Sequence, residues 1–139
     1  MKHSLQTLIA TTLIFVGVHA TAGEHASREE AVAMVKKLTQ AIKTDGKETL
    51  IKDVNTPNGK YAEKDIYVTI ETVEGVTLAN NTAPRMVGKN VTELRDADGK
   101  YFVKERNEVL KSKPMIWTEL KWPNPATSKT DTRLLYAVV

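Results

Sequence analysis

The chain has 139 residues and no cysteine. That excludes disulfides, thiolate nucleophiles, Cys-ligated zinc and c-type haem attachment. Histidine is scarce: His3, His19 and His25 all lie near the N-terminus. The body of the chain has no imidazole, which argues against a His-based triad or a His-rich metal site. Charge of one sign is also lacking. Lys plus Arg is 20 and Asp plus Glu is 17, a net charge of +3. A nucleic-acid binder normally carries a much stronger basic cluster. There is no glycine-rich phosphate loop and no Gly-x-Ser-x-Gly turn. The carboxylates Glu71, Glu74, Glu93, Glu105, Glu108 and Glu119 show no spacing of an acid/base pair. These absences speak against an enzyme and against a bound cofactor. What is present is globular: 41% hydrophobic and 27% charged residues, enough for one domain.

Lys2 and His3 give a short positive start, and Leu5 to Val18 is mostly apolar and uncharged. Ala20-Thr21-Ala22 then fits a small-x-small cleavage site. This predicts a secretory signal peptide over 1–22, and a domain over 23–139. The apolar run is shorter than the roughly 20 residues of a membrane-spanning helix. The expected location is periplasmic or secreted.

Ser27-Arg28-Glu29-Glu30 has the form of a capping box. Ala31, Val35, Leu38 and Ile42 follow at helical spacing, so a helix is predicted from Ser27 to Lys43. Asp45-Gly46 ends it, and a shorter helix is predicted over Lys47 to Val54. Ile66 to Thr72 is rich in β-branched residues and reads as a strand. Glu74-Gly75 turns the chain into a returning strand, Val76 to Ala79. Asn80 to Asn90 reads as a loop. Tyr101 to Lys111 is amphipathic and reads as a helix that ends before Pro114. Ile116 to Trp122 reads as a strand, Pro123-Asn124-Pro125 as a turn, and Arg133 to Val139 as a final strand. The order helix, helix, strand, strand, helix, strand, strand indicates an α+β domain.

Several residues admit both a structural and a functional role. Trp117 and Trp122 are five apart on one strand and so point to opposite faces. Each could pack in the core; Trp122 could instead form a pocket wall. Tyr67 shares a strand face with Thr69 and Glu71, as a core residue or as a donor to a ligand carboxylate. Arg85 and Lys89 flank the Pro84–Gly88 loop, as solvated charges or as a carboxylate clamp. Asp96-Ala97-Asp98-Gly99 with Glu105 resembles part of a calcium loop, but Leu94 stands where the first aspartate is needed. A turn and helix cap fits better, and no metal site is expected. Asn80-Asn81-Thr82 and Asn90-Val91-Thr92 fit the glycosylation sequon, a signal that means little if the source is bacterial.

Four stretches together resemble a known family. They are Gly75-Val76-Thr77-Leu78-Ala79, Pro84-Arg85-Met86-Val87-Gly88-Lys89-Asn90, Asp96-Ala97-Asp98-Gly99-Lys100-Tyr101-Phe102-Val103-Lys104-Glu105, and Trp117 followed by Lys121-Trp122-Pro123-Asn124-Pro125. In this order the chain resembles a single Cache domain of the second type, an extracytoplasmic relative of PAS sensors. The helix Ala31-Val32-Ala33-Met34-Val35-Lys36-Lys37 fits the family's long N-terminal helix. The resemblance implies a PAS-like Cache fold: a long N-terminal helix packed on a central antiparallel β-sheet, with a small-ligand pocket between sheet and loops.

It also implies the function. Relatives bind short carboxylates, amino acids or similar metabolites and usually feed a membrane helix and a signalling domain. This chain resembles the free-standing periplasmic members without an output domain of their own. Tyr67, Asn80, Arg85, Phe102, Leu120 and Trp122 are the expected ligand-binding residues. Three positions depart from the family: Asn80 stands where histidine is frequent, Leu120 where tyrosine is, and Met115-Ile116 where glycine precedes the first tryptophan. The family's pattern also continues with one more strand after the position of Val139, so the sheet is expected to lack a strand and expose an edge. The expected partners are a small-molecule ligand and a membrane receptor or kinase, with a homodimer as a further arrangement and no nucleic acid. The rival reading is a ligand-free module that docks on such a receptor or kinase. A cavity with Tyr67, Asn80 and Arg85 turned inward favours ligand binding; a sealed apolar one favours docking.

Overall fold

The computed structural model describes the backbone of residues 11–17, and residues 25–124 and 128–139. In chain order the elements are β1 (Thr11–Gly17), α1 (Arg28–Asp45), α2 (Lys47–Val54), β2 (Tyr67–Glu71) and β3 (Thr77–Asn80). A 3-10 turn (Pro84–Met86), α3 (Phe102–Leu110), β4 (Met115–Asn124) and β5 (Lys129–Val138) follow.

The helix α1 starts at the capping box. The Ser27 hydroxyl accepts from the Glu30 N–H at 3.1 Å, and the Glu30 carboxylate accepts from the Ser27 N–H at 2.8 Å. The chain before it is pinned by Asp65, whose carboxylate accepts from the Ala26 N–H at 2.7 Å and meets His25 Nδ1 at 2.8 Å. The buried stripe of α1 is Ala31, Met34, Val35, Leu38 and Ala41. Gly46, at φ 85°, breaks the helix and begins α2. Among the described residues no helix is long and apolar enough to cross a membrane.

All strand pairings are antiparallel, in the order β3-β2-β1-β5-β4. Strand alternation divides the interior in two. On one face Val68 and Ile70 of β2, with Leu134 and Tyr136 of β5, pack against α1 and α2. On the other, Leu120 of β4 with Leu135 and Ala137 of β5 pack against Phe102, Val103 and Leu110 of α3. The β2–β3 turn relies on Gly75 at φ 84°, where a Cβ would also stand 2.4 Å from Thr92 Cγ2.

The structure departs from the sequence expectation at four places. The first element is a strand. Thr11–Gly17, inside the expected signal peptide, is the middle strand of the sheet, since an uncharged apolar run rich in β-branched residues suits a central strand as well as an export signal. The sheet's outer strands are accordingly β3 and β4. The Asn80–Asn90 loop holds a 3-10 turn at Pro84–Met86, with proline at its start. Pro123 and Asn124 continue β4 instead of turning, paired with Thr130 and Lys129. Proline is tolerated there because β4 is an edge strand, where a missing N–H costs no ladder bond. The expected cleavage site after Ala22, and Pro125, lie outside the described residues.

Candidate functional site

A cavity of about 390 Å³ lies between the sheet, the Asn80–Asn90 loop and the start of α3. Strand β2 supplies Tyr67, Thr69 and Glu71, which share one face by alternation. Strand β3 supplies Thr77 and Asn80, and the loop supplies Thr82, Arg85 and Met86. Leu94, Phe102, Val103 and Trp122 form the apolar wall, and Arg133 of β5 closes the ring. The volume is in the range of small-ligand sites.

The polar groups are held in place. Asn80 Oδ1 accepts from the Thr82 and Ala83 N–H groups at 3.0 and 2.7 Å and from the Thr82 hydroxyl at 3.2 Å. Its amide donates to Thr69 Oγ1 at 3.2 Å. The motif repeats at Asn90, which takes the Thr92 N–H at 3.0 Å and the Thr92 hydroxyl at 2.6 Å. Both sequon-like triplets are thus side-chain turns that fold the loop. Trp122 meets Phe102 edge to face, with ring centroids 5.7 Å apart.

Two guanidinium groups define the electrostatics. Arg106 on α3 is fully buried and donates to Glu71 at 2.7 Å. Burial pushes the Glu71 carboxyl above its ordinary range, and the Arg106 charge opposes that rise. Glu71 therefore presents a largely neutralised wall. Arg106 Nη1 has no hydrogen-bond partner among the described residues, but Arg106 is not part of the cavity lining, whereas Arg133 is. Arg133 is 8% exposed, stands 4.8 Å over the Tyr67 ring, and its Nε has no hydrogen-bond partner among the described residues. A buried donor without an acceptor is costly, so this atom favours a ligand that brings one.

Five of the six expected site residues line this cavity: Tyr67, Asn80, Arg85, Phe102 and Trp122. Leu120 does not. It shares the strand face of Trp122, but α3 covers it and it is 1% exposed in the core. Lys89 is exposed and outside the lining, while Arg85, though exposed, is part of it. The Asp96 carboxylate takes the N–H groups of Asp98 and Lys100 at 3.0 and 2.9 Å and of Lys121 at 3.0 Å. Its oxygens tie the turn to β4. Trp117 lies on the opposite face of β4, stacked on Tyr136 at 4.7 Å and under the Arg28 guanidinium. Arg133 was not expected in the site. It precedes the alternating apolar residues of β5 by one or two positions, and only the pairing of β5 with the rest of the sheet brings it to Tyr67.

Comparison with known proteins fits this architecture. The sequence profile described as "Single Cache domain 2" matches residues 2–139. The chain belongs to that family. Its fold is similar to a Cache chemosensory domain whose structure was solved as a basis for carboxylic acid recognition. The two are 17% identical, with 80% of this chain and 86% of that one covered and a TM-score of 0.53. It is also similar to a methyl-accepting chemotaxis protein from Vibrio parahaemolyticus RIMD 2210633, at 15% identity, 77% and 84% coverage and a TM-score of 0.53. No curated protein matches the chain. Cache domains are extracytoplasmic, ligand-binding sensory domains. In this Cache domain two of the positions that depart from the family pattern, Asn80 and Leu120, are taken up by the fold itself. Asn80 spends its carbonyl on the loop, and Leu120 is core. The buried cationic group of the lining, Arg133, stands on β5.

Proposed function

We propose that the chain is a periplasmic sensory domain, exported by a signal peptide over 1–22, whose cavity binds a short organic acid. The observation that carries this reading is Arg133: buried, in the cavity wall, with an unpartnered Nε beside Tyr67. A carboxylate is the natural partner of a guanidinium held in place. The apolar wall of Met86, Leu94, Phe102 and Trp122 suits a short aliphatic tail. Tyr67, Asn80 and Arg85 all line the cavity, beside the buried Arg133, and this supports ligand binding over a ligand-free docking module. Binding would bias the loop between open and closed positions, and output would pass to a separate membrane receptor or kinase. The chemistry is recognition, not turnover.

A thermal-shift and calorimetric screen of short monocarboxylates, amino acids and amines tests this. Monocarboxylates should raise Tm, by several degrees at about 100 times Kd. Arg133→Met should abolish that shift while staying folded. Binding of amines but not carboxylates, or an Arg133→Met variant that binds like wild type, would reject the reading.

A further inference from the structure

The sheet contains two hairpins, β2–β3 and β4–β5, and within the sheet β1 stands between them. β1 pairs with β2 from Thr11↔Glu71 to Phe15↔Tyr67, and with β5 from Thr12↔Val138 to Gly17↔Arg133. These same residues fall inside the expected signal peptide. Export with cleavage after Ala22 therefore separates the middle strand from the domain that surrounds it. Adjacent strands lie about 4.8 Å apart, so β2 and β5 would then face each other across about 10 Å, the width of one strand. Neither wall is a usual edge. Val68, Thr69, Ile70 and Glu71 on one side, and residues 133–137 on the other, are buried. Their freed N–H and C=O groups would open inside the core, where unpaired backbone is costly.

We propose that the processed domain is a strand acceptor: the slot between β2 and β5 takes an uncharged, aliphatic-rich extended segment of a partner polypeptide, antiparallel to both walls. The inference rests on removal of residues 1–22. The chemistry of the occupant follows from the segment that fills the slot in this structure, Thr-Thr-Leu-Ile-Phe-Val-Gly at 11–17, which carries no charge. The direction follows from the register. The occupant's first residue lies beside Glu71 and its last beside Arg133. Main-chain bonds on both sides give the affinity, and a one-residue slip would exchange the occupant's two faces.

The test keeps the full chain, with a specific protease site inserted after Ala22. The protein is folded intact and then cut. A fluorescent peptide with the sequence of residues 11–17, flanked by lysines, is added to the cut and uncut forms. The cut form should take it up one to one, and the uncut form should not. In the emptied domain, backbone amides of Tyr67–Glu71 and Arg133–Val138 that face the slot should exchange at least tenfold faster, and the peptide should restore them. A peptide carrying Ile14→Pro should not bind, because it lacks a central N–H. Three results would overturn the acceptor itself: no uptake even after unfolding and refolding, equal uptake of the proline peptide, or pairing of two cut chains instead of peptide binding. Intact mass of the natural chain recovered from the periplasm tests the premise separately. A mass that retains residues 11–17 means the slot is filled by the chain's own strand, and the proposal falls on that ground.

Discussion

Replacing Arg106 by methionine isolates the electrostatics of the cavity wall. The substitution keeps most of the side-chain volume and removes a guanidinium whose only anionic contact among the described residues is Glu71, at 2.7 Å. Both side chains are almost wholly buried, at 0% and 3% exposure. Breaking a buried pair by removing one partner costs about 3–5 kcal/mol, because the other charge stays desolvated. Glu71 has an escape, which is to take a proton. Burial already raises its pKa, and losing Arg106 removes the opposing influence. A carboxyl whose folded pKa lies above its unfolded value contributes stability below the unfolded pKa and loses it as pH rises toward the folded one. Arg106→Met should therefore be only mildly destabilised near pH 5 and strongly so near pH 7.5. The limit is 1.36 kcal/mol per pH unit, about 3 kcal/mol over that interval.

Urea unfolding of wild type and variant at the two pH values measures this directly. A second variant, Arg106→Met with Glu71→Leu, should recover most of the loss at the higher pH, since an apolar pair of similar volume can match a buried ion pair. A loss equal at both pH values, or a double variant no better than the single one, would refute the argument. The same reasoning reaches binding. With Arg106 gone, an ionised Glu71 in the cavity wall would repel a carboxylate, so affinity should fall more steeply with pH than in wild type.

Two further outcomes follow from the tryptophans and the Asp96 turn. Trp117→Ala should cost about 3 kcal/mol, since the ring stacks on Tyr136 under α1, and should change ligand affinity only through unfolding. Trp122→Ala should weaken binding beyond its effect on stability, and titration calorimetry of both folded variants separates the two roles. Burial works against ionisation of Asp96, yet the N–H groups of Lys121, Lys100 and Asp98 outweigh it and hold the carboxyl below its ordinary value. Its contribution is present above the unfolded pKa and fades as pH falls through the folded one, so Asp96→Asn should cost about 2 kcal/mol at neutral pH and progressively less in acid, as read from Tm against pH.

The helices were legible because each carries its own local signals. The Ser27–Glu30 box, the apolar stripe of α1 and the break at Gly46 lie within a few residues of the contacts they describe. Strand alternation assigned the faces of β2 and β4 for the same reason, placing Tyr67 with Thr69 and Glu71, and separating Trp117 from Trp122. Position within the sheet was not legible. Leu120 and Trp122 share a face, but only the docking of α3 decides that one is covered and the other lines the cavity. Arg133 reads as a polar strand start until β5 is placed near β2. Thr11–Gly17 illustrates the sharper limit: an uncharged aliphatic run satisfies a translocation signal and a buried strand equally, and hydrophobic pattern alone does not choose between them.

The cavity and the slot share their walls, and that has a measurable consequence. Tyr67 belongs to β2 and Arg133 to β5, the two strands that β1 separates. The contact between them, 4.8 Å from guanidinium to ring, spans the slot at the end where Gly17 pairs with Arg133. In this structure it forms with the walls at their two-strand spacing. A carboxylate held by Arg133 against the β2 face of the cavity favours that spacing, and so does a strand in the slot. Two ligands that favour the same arrangement must strengthen each other's binding by the same factor. Coupling typically amounts to about 5–150-fold. In the cut protein, a carboxylate identified by the screen should therefore tighten the strand peptide by at least several-fold. The peptide should tighten the carboxylate by an equal factor, and Arg133→Met should remove the coupling while leaving peptide binding intact. Two affinities that stay independent would mean that the walls hold their spacing without either ligand, with the helices α1 and α2 bridging the hairpins.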